Sequence, residues 1–324
     1  MLAAYVARFD AEEPLHGLEV GEVSDAAPPA DHTDWQLVNI NAAALNQHDL
    51  WSLRGVGLKE DQLPIVLGCD GAGTTADGRE VIVHAVVGAL PTKHAPPGTE
   101  PRSLLSERYP GTLAERVAIP AANLVDKPEW LSWEEAACLP TAWLTAHRAI
   151  FRTGGAEPGD VLLVQGAGGG VATAAITLGA AAGLEVHVTS RSAERRARAE
   201  ELGATAAHEP GARLPKRADV VLESVGKATW SHSVASARAG GAIVVVGATT
   251  GDPSPAAITR VFFHELRILG STMGTADDLR ALLKFLEHTG ARPTIDSTFP
   301  LADARGAFAR LASGEQFGKI VLTT

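Results

Sequence analysis

The run Asp160-Val161-Leu162-Leu163-Val164-Gln165-Gly166-Ala167-Gly168-Gly169-Gly170-Val171 decides how this chain is read, because an apolar strand passes there into a glycine-rich turn that opens a helix. Residues 161–164 have the continuous apolar character of a buried parallel strand. Gly166, Gly168, Gly169 and Gly170 permit a tight turn in which main-chain N–H groups approach a diphosphate closely, and a helix N-terminus adds about half a positive charge. A side chain would block that approach. Glycine runs also occur in loops that bind nothing, so the surroundings carry the inference. Residues 171–182, from Val171 onward, form a small-residue helix able to pack closely on a sheet, and 185–189 alternate into a second strand. Strand, turn, helix and strand in this order predict a dinucleotide site. Ala172 takes a place where close helix packing is the only requirement.

The second strand should end beside the adenine ribose. An acidic residue there accepts hydrogen bonds from the ribose 2′-hydroxyl and repels a 2′-phosphate, which selects NAD. This chain has Ser190 and Arg191 instead, and Arg195 follows one helical turn after Arg191. A guanidinium fork matches a phosphate, so NADPH is expected ahead of NADH. Glu194, Glu200 and Glu201 are interleaved with the arginines and equally allow an ordinary solvated helix face.

Bulk properties suit a soluble, cytoplasmic enzyme. With 324 residues, 45% apolar and 20% charged, the chain is globular in composition and long enough for two cores. No apolar run approaches a membrane span, and the first residues read as a short strand rather than a signal peptide. Cys69 and Cys138 are too few for a disulfide framework or a four-cysteine zinc lobe. A net charge of −10 argues against nucleic-acid and membrane partners and leaves a small molecule as the expected ligand.

Two domains are predicted. Residues 1–124 contain short strands at 35–40, 81–87 and 113–119, split by Gly and Pro, and form a β-rich unit rejoined by residues 275–324. Residues 125–274 alternate strand and helix, with strands at 161–165, 185–189, 219–223 and 242–247, which predicts an α/β doubly wound parallel sheet of Rossmann type. A helix at 276–288 and a final strand at 319–323 close the chain, the strand returning to the first unit. The proline-rich stretch 91–110 is a long loop that borders a cleft or forms a surface excursion.

Seven segments carry a family resemblance: Leu45-Asn46-Gln47-His48-Asp49, Leu67-Gly68-Cys69-Asp70-Gly71-Ala72-Gly73, Gly111-Thr112-Leu113-Ala114-Glu115, Leu144-Thr145-Ala146-His147-Arg148-Ala149, the glycine turn, Glu201-Leu202-Gly203-Ala204 and Gly318-Lys319-Ile320-Val321-Leu322. Together, in this order, they make the chain resemble the medium-chain dehydrogenase/reductase superfamily, in its zinc-independent, quinone oxidoreductase-like branch. The resemblance implies a partly open, GroES-like barrel as substrate domain, a Rossmann domain, hydride transfer in the cleft between them, and a homodimer.

Zinc-dependent relatives carry a Cys at the place of Asn46, a His-Glu pair at Cys69-Asp70 and a third ligand near Thr141. A catalytic zinc needs three N, S or carboxylate donors, and Asn and Thr serve poorly, so no metal is expected. Substrate polarisation then falls to hydrogen bonds, and hydride addition to a quinone or enone leaves an anion that a modest acid or water protonates. Asn46 resembles the residue beside the nicotinamide whose amide donates to a substrate carbonyl, or it holds the turn after its strand. His48 stands where relatives carry a relay hydroxyl and is either a proton shuttle or a structural histidine. Trp51, near a Tyr of many relatives, walls an apolar pocket or packs in the core.

The resemblance also places Thr145 near the nicotinamide carboxamide, unless it caps the following helix. Val225, Gly226 and Gly247 lie at carboxyl ends of strands, where open sheets bind ligands. Phe262 and Phe263 line the nicotinamide pocket or belong to a core or dimer interface. Lys319 meets the cofactor or starts a strand. Specificity is expected in loops 51–57 and 89–109. Three functions follow: an NADPH-dependent, zinc-independent reductase of quinones or α,β-unsaturated carbonyls; an alcohol dehydrogenase with altered zinc ligands; and a non-catalytic NADPH-binding protein.

Overall fold

A computed structural model of the chain describes residues 1–89, 100–252 and 257–324. It divides into two compact units, the first made of Met1–Thr141, Thr275–Arg280 and Ile295–Thr324, the second of Ala142–Gly274 and Ala281–Thr294.

In the first unit the strand Trp35–Ala44 is the hub. It pairs antiparallel with Asp70–Thr75, with Arg116–Pro120 and with the last strand, Lys319–Thr323, which also runs parallel to Ile295–Pro300. Its early residues alternate between buried and exposed, as expected for a sheet with one wet face. Ala42, Ala43 and Ala44 are buried on both sides because the helix Trp133–Ala137 packs over the sheet there, and alanine leaves room for it. A smaller sheet joins Leu2–Val6 to Leu18–Glu22 and Ile65–Val66. These sheets form the GroES-like β domain.

That arrangement moves the expected domain boundary from 124 to 141. Leu124–Asp126 pairs with Glu80–His84, and the helix Trp133–Ala137 rests on the first unit's strands, so residues 125–141 belong with the barrel. Residues 281–294 in turn leave it for the second unit. The expected strand at 113–119 begins later, at Arg116, and the one at 81–87 breaks into Glu80–His84 and Val86–Val87. Part of the loop read from 89–109 lies outside the described residues; within the rest, Ser103–Leu104 pairs with Val86–Val87.

The second unit is a parallel sheet of six strands in the order Ala206–His208, Glu185–Thr189, Val161–Gln165, Ala218–Glu223, Ala237–Val245, Arg267–Gly270. Numbered along the unit this is 3-2-1-4-5-6, the order of a dinucleotide-binding sheet whose direction reverses between the first and fourth strands. Val161, Leu163, Val221, Ile243, Trp230 and Val234 pack into one core on the face covered by the helix Trp230–Ser236. On the helix Gly170–Ala181, Gly179 is needed for close approach, since a Cβ there would lie 2.9 Å from Val186 Cγ2. Ala172, Ala174 and Ala175 are buried beside it, which is why a helix of small residues follows the glycine turn.

Candidate functional site

In the second unit the strand Val161–Gln165 ends at the topological reversal, and Gly166 turns the chain with φ +88°, a conformation glycine adopts without strain. The helix Gly170–Ala181 then begins at Gly169, in extended conformation, with no side chain capping its N-terminus. Glycine at the N-cap brings no side-chain acceptor to the first-turn N–H groups. A Cβ added to Gly169 would meet nothing within 4 Å, so the space above the turn is open. An uncapped N-terminus of a 12-residue helix beside open space is what a diphosphate requires.

Val225 comes to this turn from the neighbouring strand, its Cγ2 lying 3.8 Å from a Cβ built on Gly166. The Val225 and Gly226 N–H groups are held at 2.8 and 3.0 Å by Glu223 Oε1, so this second turn is rigid. Gly247 follows two residues after the strand Ala237–Val245. Ser190 is half-buried and Arg191 exposed at the end of the strand Glu185–Thr189. Arg195 N–H donates to the N-cap Ser192, whereas Arg196 Nη1 donates to the Ser190 carbonyl at 2.7 Å and braces that corner. Thr145 is buried inside the helix Leu144–His147 and caps nothing. Donors, open space and an exposed guanidinium at the ribose end fit a phosphorylated dinucleotide.

The first unit holds a different kind of polar centre. The strand Trp35–Ala44 gives way to the helix Gln47–Leu53 with Asn46 at its N-cap. Asp49, in the first turn, accepts from Asn46 N–H at 2.8 Å and from Gly68 N–H at 3.1 Å, where a negative group also complements the helix dipole. Burial pushes the Asp49 carboxyl above its usual range, against the pull of His48 and of the Asn46 donor. Lys319 Nζ, 2% exposed, donates to Leu45 O at 2.7 Å, Asn46 Oδ1 at 2.7 Å and Asp70 Oδ2 at 2.8 Å. Its three hydrogens are thereby spent. Asn46 Nδ2 donates to the same Asp70 oxygen at 2.9 Å and more distantly to Ala44 O.

This geometry corrects two expectations. Asn46 is a tie between strand end, lysine and aspartate rather than a donor to a substrate carbonyl, because its amide is committed on both sides. Lys319 does not reach a cofactor, because a buried ammonium with three acceptors has nothing left to offer. Neither role was readable from sequence, since the partners lie 24, 249 and 273 positions apart.

His48, half-buried, has Nε2 3.3 Å from Ser106 Oγ and 3.9 Å from Glu107 Oε1. Ser106 is buried, holds the left-handed backbone φ of +67°, and approaches Cys69 Sγ at 3.4 Å. A non-glycine residue held in that region costs energy that the surroundings must offset. Ser106 and Glu107 had no distinguishing signal in the sequence beyond lying in a loop. Trp51 is half-buried under the Arg54 guanidinium, 5.1 Å from its ring.

The zinc positions can be tested on their chemistry. Asn46 is consumed as described. Cys69 is buried and its Sγ donates to Leu105 O at 3.3 Å, so its sulfur is engaged within the first unit, and it would be the one sulfur donor of the set. Thr141 offers a buried hydroxyl without a partner. Among the described residues no group of three His, Cys, Asp or Glu is arranged to hold a metal ion. This donor set does not fit zinc.

Phe262 is 62% exposed and stacks on Phe263 at 4.9 Å on the helix Ile258–Phe263. It lies on the surface of the second unit, which removes the core reading.

Comparison with known proteins agrees with this architecture. Residues 32–129 match the model of the alcohol dehydrogenase GroES-like domain, and residues 170–288 that of the zinc-binding dehydrogenase. A zinc-type alcohol dehydrogenase-like protein of Schizosaccharomyces pombe is 30% identical over 311 residues, 88% of this chain and 90% of that protein. The 2-methylene-furan-3-one reductase of Solanum lycopersicum is 29% identical, over 92% of this chain and 74% of its own. The crystal structure of an NAD-dependent alcohol dehydrogenase superposes with a TM-score of 0.87 at 31% identity, covering all of both chains.

Proposed function

The chain belongs to the medium-chain dehydrogenase/reductase superfamily and is an oxidoreductase, and from that membership we propose that it reduces α,β-unsaturated carbonyls or quinones with NADPH, without metal. The observation that carries the proposal is the uncapped, open N-terminus at Gly169 and Gly170, followed at the ribose end by Ser190 and Arg191 in place of an acid. Similarity to a reductase of a ketone bearing a conjugated methylene supports the substrate class.

The nicotinamide, when bound, supplies the hydride. The chain's own groups then have modest tasks. Glycine-turn N–H groups hold the diphosphate, Arg191 the 2′-phosphate, and Val225 packs beside the turn. Hydride addition to the β-carbon leaves an enolate that needs one proton. We assign that relay to His48, which lies within hydrogen-bond distance of Ser106 Oγ and near Glu107, and loss of the relay in His48→Ala should flatten the pH dependence of kcat.

An alcohol dehydrogenase reading is favoured by the names of two relatives and disfavoured by the donor set at Asn46, Cys69 and Thr141. Titration of the purified protein with NADPH and NADH, turnover on a panel of enones, quinones and alcohols, and metal analysis decide among the readings. Stoichiometric zinc with chelator-sensitive alcohol oxidation would sink the first. Tight NADPH binding without turnover of any acceptor would leave a binding protein.

We propose also that two copies associate through the second unit, in the cytoplasm. The edge strand Arg267–Gly270 pairs on one side only among the described residues, and Ile258, Phe262, Phe263 and Ile268 are 70, 62, 73 and 43% exposed. An open edge with uncovered aromatic surface is costly in water. Sedimentation of Phe262→Asp should show a monomer if this holds, and an unchanged dimer would refute it.

A further inference from the structure

Parallel strands covered by helices are normally apolar to their ends, yet three adjacent strands of the second unit finish on buried polar residues: Gln165 (1% exposed), Thr189 (2%) and Glu223 (0%). Leucine or valine would be less costly there, so the hydrogen bonds these groups make must be explained.

They form one continuous chain whose donor directions are determined by its ends. His232 Nε2 lies 2.8 Å from the Ala212 carbonyl, which only accepts, so Nε2 carries the proton and Nδ1 accepts. Nδ1 is 3.0 Å from Gln165 Nε2, which also donates to Ser233 Oγ at 2.9 Å. Ser233 donates onward to Glu223 Oε2 at 2.5 Å. The carboxylate's other oxygen takes the Val225 and Gly226 N–H groups, and the Thr229 hydroxyl adds a further bond at 2.8 Å. On its other side, Gln165 Oε1 accepts from Thr189 Oγ1 at 2.6 Å, and Thr189 Oγ1 is in turn 3.5 Å from the Gly166 N–H. Every hydrogen of the Gln165 amide has a partner, and reversing the amide would set its oxygen against the His232 Nδ1 lone pair and a Ser233 hydroxyl whose hydrogen is given to Glu223.

The chain thus runs from the glycine turn at Gly166 to the turn at Val225 and Gly226, and among the described residues Gln165 joins its two halves. We propose that Gln165 is a positioning residue for the dinucleotide: it holds both ligand-facing turns in one register, so that neither must be ordered when the diphosphate binds. The ordering cost would otherwise reduce affinity. This inference rests on the reading of the glycine turn as a dinucleotide site.

The test is NADPH titration by fluorescence, steady-state kinetics, and hydrogen exchange of the ligand-free protein, in Gln165→Met, Thr189→Val and Thr189→Ser. Methionine keeps length and loses the amide; valine keeps shape and loses the hydroxyl. For Gln165→Met the NADPH Kd and KM should rise about tenfold, the value of roughly one buried hydrogen bond, while kcat falls by a smaller factor. The amides of Gly166, Val225 and Gly226 should exchange faster without ligand, with those of Leu163 and Val221 unchanged. Thr189→Val should reproduce the effect in part, and Thr189→Ser should restore wild-type affinity. Unchanged Kd in both Gln165→Met and Thr189→Val, with wild type binding normally, overturns the inference alone. Faster exchange throughout the sheet also overturns it, since the residue would then be merely structural. A wild type that binds neither dinucleotide overturns the underlying reading instead.

Discussion

The two polar centres of this protein differ in what they leave unspent. At Lys319, Asn46 and Asp70 the side-chain donors find acceptors inside the first unit, with 2% exposure at the lysine, and what is left over is a buried acceptor, Asp70 Oδ1, with no partner among the described residues. At Gly169 and Gly170 the helix N-terminus has no side-chain cap and open space above it. Polar groups that are mutually satisfied hold a fold together; polar groups held rigid but left facing outward bind something. Chemical type alone does not separate the cases, as Asn46 and Lys319 show.

The largest test of this contrast is in the closed centre. Asp70→Ala should destabilise the protein by about 3–5 kcal/mol in denaturant unfolding, because it strands a buried ammonium. Asp70→Leu combined with Lys319→Met should recover most of that loss. A change near zero in Asp70→Ala would mean the centre is not closed.

The open centre should respond in the opposite way. The Cβ added by Gly169→Ala meets no atom within 4 Å and needs no unusual backbone, so the unfolding midpoint should barely move. NADPH affinity should fall about 100-fold, roughly 2.7 kcal/mol, since the side chain fills the space of the diphosphate. Arg191→Ala is next, lowering the preference for NADPH over NADH about tenfold, in line with loss of one exposed charge-assisted contact. Equal affinities in the unmodified protein would remove the 2′-phosphate from the account.

The smallest effect concerns pH. Lys216 and His187 hold the Glu185 carboxyl below its ordinary range. A depressed folded value means the carboxylate stabilises the second unit above the unfolded-state pKa near 4.5 and loses that contribution as pH falls through the lower folded value. Glu185→Gln should therefore be slightly less stable at neutral pH and converge with wild type in acid. A constant difference at all pH values would contradict this.

The parallel sheet was legible in sequence because its signals are local. Strands 161–165 and 185–189 appear where apolar periodicity placed them, and the glycine turn follows the first of them, at the reversal between it and Ala218–Glu223. The strand expected at 242–247 begins at Ala237 instead, since polar Arg238 and two glycines disguise its first half. The barrel was less legible. Its strands are short, and whether residues 125–141 join it depends on pairing with Glu80–His84 and on packing over Ala42–Ala44, neither of which has a local signature.

Among site residues the same rule separates position from role. Gly166, Val225 and Arg191 each lie at the carboxyl end of a strand or in the turn that follows it, where local pattern puts them. Asn46, Lys319 and Phe262 were read by residue type, and type does not reveal whether a hydrogen bond is already made or a ring is covered. The sequence by itself determined the order of elements in the second unit, the position of the glycine turn and the absence of an acid after the second strand, because each depends on neighbours within about one strand, turn and helix. Only the tertiary structure decided which polar groups are spent and which are open, because hydrogen-bond partners such as Lys319 and Asp70, or Gln165 and Ser233, are brought together by topology across tens to hundreds of residues.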